Sequence, residues 1–142
     1  MLWHLLAPIV LLVGALVYAG IEAGSNAYQI QREYDVSHLW ETRGRMTALG
    51  FMAALASFSV PDLWSMLHAA AGFFMAACAF GFWFDLTLNR RRGLSWYYVG
   101  IDPQTAGIDK AITRHRIPGK LYQAGKAAGA LLLLGLLLWL RL

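Results

Sequence analysis

The chain has 142 residues, of which 58% are hydrophobic and only 14% are charged, and its formal net charge is +4. Soluble domains are usually about one-quarter charged, so the composition excludes an ordinary soluble enzyme. A chain of this length has no room for a separate soluble domain beside several membrane spans, and we predict a single transmembrane domain over residues 1–142.

Long segments without Asp, Glu, Lys or Arg cover residues 1–21, 63–84 and 127–140. A helix needs about 20 apolar residues to cross the hydrocarbon core. A further apolar segment, residues 46–60, is shorter, and we expect its helix to begin at Ser37 with polar first turns. The sequence therefore predicts an all-α integral membrane bundle of four transmembrane helices, with spans at about 2–21, 37–60, 62–88 and 119–141.

The basic residues follow the ends of the apolar segments and do not form a patch suited to nucleic acid. Three lie within residues 22–45, eight lie within residues 89–126, and only Arg141 lies elsewhere. Cytoplasmic loops of membrane proteins carry the excess of Lys and Arg. We therefore predict a bacterial inner-membrane protein with both of these loops in the cytoplasm and both termini outside.

The segment between the third and fourth spans has its own pattern. Asp102-Pro103 is typical of a turn. The residues from Ile108 to Ile117 alternate apolar and basic positions in the manner of a short interfacial amphipathic helix, lying against the membrane or the bundle.

Two segments match the spacing G-x-x-x-G, namely Gly20 to Gly24 and Gly125 to Gly129. Small residues at this spacing let helix backbones approach closely. They are compatible with packing inside the bundle, with a homo-oligomer or with a protein partner that packs on these Gly- and Ala-rich faces.

Acidic residues stand near the predicted cytoplasmic ends of the spans. Asp85 has Asn89 four residues on, and Glu22 has Asn26 at the same spacing, so each pair shares a helix face. Asp85 either reaches the polar interface or pairs with Arg90, Arg91 or Arg92. Ionisable groups in spans usually face the bundle interior and often mark function.

These acidic residues have two interpretations. Glu22, His38 and Asp85, with Glu41 and Asp109 in support, are candidates for a divalent metal site, since carboxylates and one imidazole suit such an ion. The alternative is a structural network of salt bridges and helix caps. His4 and His68, near the other ends of their spans, are a weaker candidate pair for haem.

The basic and aromatic run after Asn89 also has two interpretations. Arginines with Trp96, Tyr97 and Tyr98 are typical of an interfacial anchor. Alternatively, Arg90, Arg92 and Lys110 form a site for a phosphate or lipid headgroup.

The run Phe84-Asp85, Asn89, Arg92-Gly93, Trp96, Tyr98-Val99-Gly100 and then Asp109 resembles a pattern of small uncharacterised multi-span membrane proteins of bacteria, notably Bacteroidota, and of their phages and mobile elements. In them an R-G-x-x-W-x-Y-[VL]-G stretch follows an aspartate and an asparagine one turn apart. The resemblance covers about residues 22–110 and implies no activity. It implies that Asp85, Asn89, Arg92, Trp96, Tyr98 and Asp109 form one unit near His38; Asp102-Pro103-Gln104 departs from the pattern.

We therefore predict a membrane-embedded binding or assembly module for an anionic lipid headgroup or a partner protein. One alternative is a metal-dependent hydrolase or transferase acting on a lipid phosphate, with Arg92 and Lys110 neutralising the phosphate and Asp109 as the base. A second alternative is a phage holin-like pore-former, which would need a continuous polar stripe that the spans lack.

Overall fold

The computed structural model describes residues 2–32, 38–57, 63–99 and 107–140, and the side chains of residues 6–32, 41–57, 64–99 and 110–140. All regular elements in these ranges are α-helices, which confirms the all-α prediction for the described part. They are α1 (Leu2–Gln31), α2 (His38–Ser57), α3 (Leu63–Arg91), α4 (Gly107–Arg114) and α5 (Gly119–Trp139).

The helices differ from the predicted segments mainly at the end of α1. The first span was expected to end near residue 21, but α1 continues for ten more residues to Gln31. Ala23, Asn26 and Ala27 in this extension are buried, and burial of one face stabilises a helix whose other residues are polar. Glu22 and Asn26 therefore belong to a helix and not to a loop.

Three helices are long and apolar enough to span a membrane, through Leu6–Gln31, Trp64–Arg91 and Gly119–Trp139. The prediction of four rested on α2 as well. α2 has 20 residues, about 30 Å at 1.5 Å per residue, but Glu41, Arg43 and Arg45 lie in its first turns. Because of these charges, α2 is less apolar than the three helices that could span a membrane.

α2 runs antiparallel to α1. Near the start of α2, Arg45 contacts Glu22 of α1, whereas near its end Met52 lies against Gly14. The chain therefore runs back along α1 through α2.

α3 runs parallel to α1, since Gly72 lies against Leu11 and Gly20 lies against Trp83. It is the central helix of the bundle and packs against α1, α2 and α5. α4 has no comparable packing with any of the four long helices.

α5 runs antiparallel to α3. Gln123, near the start of α5, donates a hydrogen bond to Asp85, near the end of α3. Further along α5, Gly129 lies against Cys78, which precedes Asp85 in α3. The ends of α1 and α3 and the starts of α2 and α5 thus share one end of the bundle. We call it the basic end, because many of the basic residues lie there: Arg45, Arg90, Arg91, Arg92, Lys120 and Lys126.

Close contact between α1 and α3 depends on small side chains. α1 has an alanine-rich stripe at a spacing of four residues, and the whole stripe is buried: Ala7, Leu11, Ala15, Ala19, Ala23 and Ala27. Residues four apart lie on one face of a helix. Gly20 and Gly24 continue this face against Trp83 and Arg91, so the first G-x-x-x-G packs inside the bundle.

The outward faces of the long helices are apolar. α1 exposes Val10, Val13, Val17 and Ile21, and α5 exposes Leu121, Leu131, Leu132, Leu136 and Trp139. Large contiguous apolar surfaces mark contact with a membrane or with protein partners. Together with the length of the three apolar helices, this surface fits a location in a membrane.

Candidate functional site

Asp85 of α3 is the acceptor of a small polar network with α5. Its Oδ2 atom accepts hydrogen bonds from Lys126 Nζ at 2.5 Å and from Gln123 Nε2 at 2.7 Å. Gln123 is fully buried, and its Oε1 atom has no hydrogen-bond partner in the described part. Lys126 also lies over the ring of Tyr122, with Nζ 3.9 Å from the ring centroid. This network connects α3 to α5.

Of the alternatives for Asp85, pairing with Arg90, Arg91 or Arg92 is not found, because its basic partner is Lys126. Residues five apart on a helix point about 140° away from each other, at 100° per residue. Asp85 therefore faces α5 while Arg90 lies exposed on another side of α3. Arg91 lies over Gly24 of α1.

A second network joins α1 and α2. Arg45 contacts Glu22 Oε1 through Nε at 2.5 Å and Glu41 Oε2 through Nη2 at 2.9 Å. Asn26 donates a further hydrogen bond to Glu41 Oε2 at 3.1 Å. The planar guanidinium presents several donors in a fixed fork, so one arginine can hold two carboxylates.

The same arginine also contacts α3. Its Cζ atom lies 4.5 Å from the ring centroid of Phe84 and 5.9 Å from that of Phe80. These two rings stack with 14° between their planes. A cation over an aromatic face adds about 0.5–2 kcal/mol, more where water is excluded. Arg45 thus holds three helices together at the basic end.

The two networks lie at similar heights in the bundle. Gly20 of α1 lies against Trp83 of α3, and Glu22 and Asp85 each follow two residues later. The expectation that the two acid-amide pairs share one depth agrees with this register. However, Glu22 forms its ion pair with a residue of α2, whereas Asp85 forms its ion pair with a residue of α5.

The predicted metal ligands are not brought together in the described part. Glu22 and Asp85 bind separate basic residues, and the side chains of His38 and Asp109 lie outside the described residues. Among the side chains that the structure describes, no group of three His, Cys, Asp or Glu residues is placed to hold a metal ion. The metal site stays a prediction that depends on His38.

The haem alternative depends on His68, which is buried near the start of α3. Its Nδ1 atom is 2.7 Å from the carbonyl oxygen of Trp64 and acts as the donor there. Its Nε2 atom is buried and has no partner in the described part. The side chain of His4 lies outside the described residues, so this pair is not tested.

Asn89 has a structural role at the end of α3. Its side chain donates to the carbonyl oxygen of Tyr98 at 3.0 Å, and its own carbonyl oxygen accepts from Leu94 N. Gly93 adopts φ = 70°, a left-handed conformation that glycine takes without steric cost. The bonds Leu94 to Asn89 and Gly93 to Arg90 form a Schellman motif, which folds the following segment back over the end of α3.

The start of α5 holds this returning segment in place. A Cβ atom at Gly119 would overlap the carbonyl oxygen of Tyr97, so only glycine permits this approach. Lys120 lies over the ring of Tyr97, with Nζ 5.0 Å from the centroid. Asn89 and Tyr98 are therefore in contact, while Asp85 is bonded to α5.

The predicted headgroup residues Arg90, Arg92 and Lys110 are all exposed. Their side chains make no hydrogen bond or ion pair with the described residues. Arg90 borders an open groove of about 700 Å³, which is lined by Phe82, Leu86, Arg90, Gly93, Leu94 and Trp96.

Sequence reasoning missed three residues that organise the basic end: Arg45, Gln123 and Lys126. Arg45 and Lys126 were counted only as topology signals. The spacing of Gln123 and Lys126, three residues apart near the start of an apolar helix, was an available signal, because such residues share a helix face and polar groups in spans usually face inward. Compared with protein-family models, with curated proteins and with solved structures, the chain has no match.

Proposed function

We propose that this protein is a four-span membrane protein that binds anionic lipid headgroups at a cytoplasmic basic end. The membrane would be a bacterial inner membrane, as the resemblance to small bacterial multi-span proteins implies. The supporting observation concerns the charged side chains of the described part. The acidic ones form ion pairs inside the bundle, whereas several basic ones are exposed and form none.

The chain has eight acidic residues, and the three whose side chains the structure describes are used inside the bundle. Glu22, Glu41 and Asp85 each contact Arg45 or Lys126. By contrast, five basic residues between the end of α3 and the start of α5 are exposed and make no ion pair within the described part: Arg90, Arg92, Lys110, Arg114 and Arg116. Basic residues near a membrane surface attract anionic lipids by about 1 kcal/mol each. The charge that remains outward therefore favours an anionic partner.

Binding fits these contacts better than catalysis. A metal-dependent enzyme would need Glu22 and Asp85 as ligands, but Arg45 and Lys126 already occupy them. Replacing those cations by a metal ion would leave both basic side chains unpaired in a mostly buried setting, which is costly.

The directions of the helices support four crossings. α1 and α3 run parallel and both are long and apolar enough to span, so the chain must return across the bundle between them. α2 is the described helix between the two, it runs antiparallel to α1, and it is about 30 Å long. Its charged first turns lie at the basic end, where the membrane interface accepts them.

Cysteine labelling tests this topology. In a Cys78→Ser background, we expect Ser37→Cys and Ser95→Cys to be protected from a membrane-impermeant maleimide in spheroplasts, and Ser59→Cys to react. If α2 did not cross, residues 37 and 59 would share one side and residue 95 would lie on the other. Permeabilised cells, in which all three should react, serve as the control.

Lipid preference tests the function. Protein in mild detergent is incubated with equal amounts of phosphatidylglycerol and phosphatidylcholine, and the lipid that co-elutes with it is quantified. We expect an excess of phosphatidylglycerol that falls about 100-fold when Arg90, Arg92 and Lys110 are changed together to Gln, since three charges contribute about 3 kcal/mol. Equal binding of both lipids by the unchanged protein would refute the proposal.

A further inference from the structure

The groove beside Arg90 has a defined construction. Phe82, Leu86 and Arg90 follow one another at a spacing of four residues, so they form one stripe along the outer face of α3. The Schellman motif at Gly93 turns the chain back, and Leu94 and Trp96 form the opposite wall. The groove therefore has two apolar walls, with its single charged group on the side of the basic end.

We propose that this groove holds the upper part of one acyl chain of a single anionic phospholipid whose phosphate contacts Arg90. This inference rests on the proposed function and names its binding site. The site differs from a diffuse basic surface in that it takes one lipid molecule in one position.

The apolar part of the groove matches an acyl chain. From Phe82 to Arg90 the stripe runs about 12 Å along α3, at 1.5 Å per residue. One leaflet of the hydrocarbon core is about 15 Å thick, so a chain whose phosphate lies at Arg90 would follow this stripe through most of that leaflet. A free phosphate ion would leave these apolar side chains without a ligand.

The charge of the groove selects the headgroup. Arg90 is exposed, and among the described residues it has no ion pair and no acidic side chain lines the groove. Asp85, the nearest acidic residue along α3, is held by Lys126 on another side. A guanidinium binds phosphate through two parallel hydrogen bonds. Trp96, which is exposed in the opposite wall, is of a residue type that is enriched at headgroup depth.

Native mass spectrometry of the full chain in detergent, with equal amounts of phosphatidylglycerol and phosphatidylcholine, tests this site. We expect one retained phosphatidylglycerol per protein. Arg90→Gln should reduce that adduct about tenfold, the effect of losing a charge-assisted bond, and Arg90→Lys should reduce it less. Arg114→Gln removes the same charge from an exposed position outside the groove, and should reduce the adduct clearly less than Arg90→Gln does, because it weakens only the general attraction of the basic surface for anions.

A second variant tests the apolar walls. Leu86→Gln keeps the net charge and places a polar group in the groove, and we expect it to reduce the adduct as well. Inorganic phosphate at millimolar concentration should not displace the lipid. Because the Arg90 side chain is exposed, Arg90→Gln without added lipid should leave the thermal unfolding of the protein unchanged.

The outcomes separate the two proposals. If Arg90→Gln and Arg114→Gln reduce the adduct equally, or if Leu86→Gln has no effect, the groove is not the site and binding is diffuse, while the proposed function stands. If the unchanged protein retains phosphatidylcholine as readily as phosphatidylglycerol, the proposed function itself fails.

Discussion

Replacing Arg45 by Gln is expected to lower the free energy of unfolding by about 3 kcal/mol, the lower end of the cost of breaking a buried ion pair. The side chains of Arg45 and Glu22 are only 12% and 15% exposed, and that of Glu41 is 20% exposed. Without the guanidinium, two neighbouring carboxylates would lose their cation. Unfolding in a mixture of mild detergent and dodecyl sulfate, followed by circular dichroism, measures the change.

Two matched variants control this experiment. Arg45→Lys keeps one positive charge but cannot hold both carboxylates at once, so we expect a smaller loss. Arg114→Gln removes an exposed arginine and should change the free energy of unfolding by less than about 0.5 kcal/mol. An Arg45→Gln protein as stable as Arg114→Gln would show that the network contributes little.

Replacing Asp85 by Ala is expected to cost about 2 kcal/mol. A fully buried pair that loses one partner costs about 3–5 kcal/mol, and we expect less here because the Asp85 side chain is 26% exposed. Lys126 would lose its carboxylate, and Gln123, whose Oε1 atom already has no partner among the described residues, would lose the partner of its Nε2 atom. The same detergent titration measures this loss.

The double variant Asp85→Ala with Lys126→Met should recover part of the stability, because it removes both charges together. Asp85→Asn should fall between the wild type and Asp85→Ala, since it keeps an acceptor for Gln123 without the charge. If the double variant were less stable than Asp85→Ala alone, Lys126 would have a stabilising role independent of Asp85.

Residue types and their spacing were sufficient to find the helices and the end of the bundle at which the polar groups gather. They did not determine the partners. For Asp85, three nearby arginines were the obvious candidates along the chain, yet the carboxylate binds Lys126, 41 residues away. For Glu22, the partner Arg45 is 23 residues away. The rotation of each helix about its axis decides such pairings, and hydropathy along the chain does not determine that rotation.

Hydropathy along the chain also does not determine the number of membrane crossings. The hydropathy of α2 does not place it with the three apolar helices, because its first turns contain Glu41, Arg43 and Arg45. Two of these residues take part in the network at the basic end. The parallel directions of α1 and α3 support a crossing by α2 more strongly than its composition does.

By itself, then, the sequence determined an all-helical chain with apolar segments of membrane-spanning length and a strong bias of basic residues to one end. Both properties follow from the composition of continuous segments. Only the tertiary structure decided that Asp85 and Glu22 belong to separate networks, and that Arg90 borders an apolar groove. These depend on which faces of distant helices meet, and on a turn at Gly93 that folds Leu94 and Trp96 back onto α3.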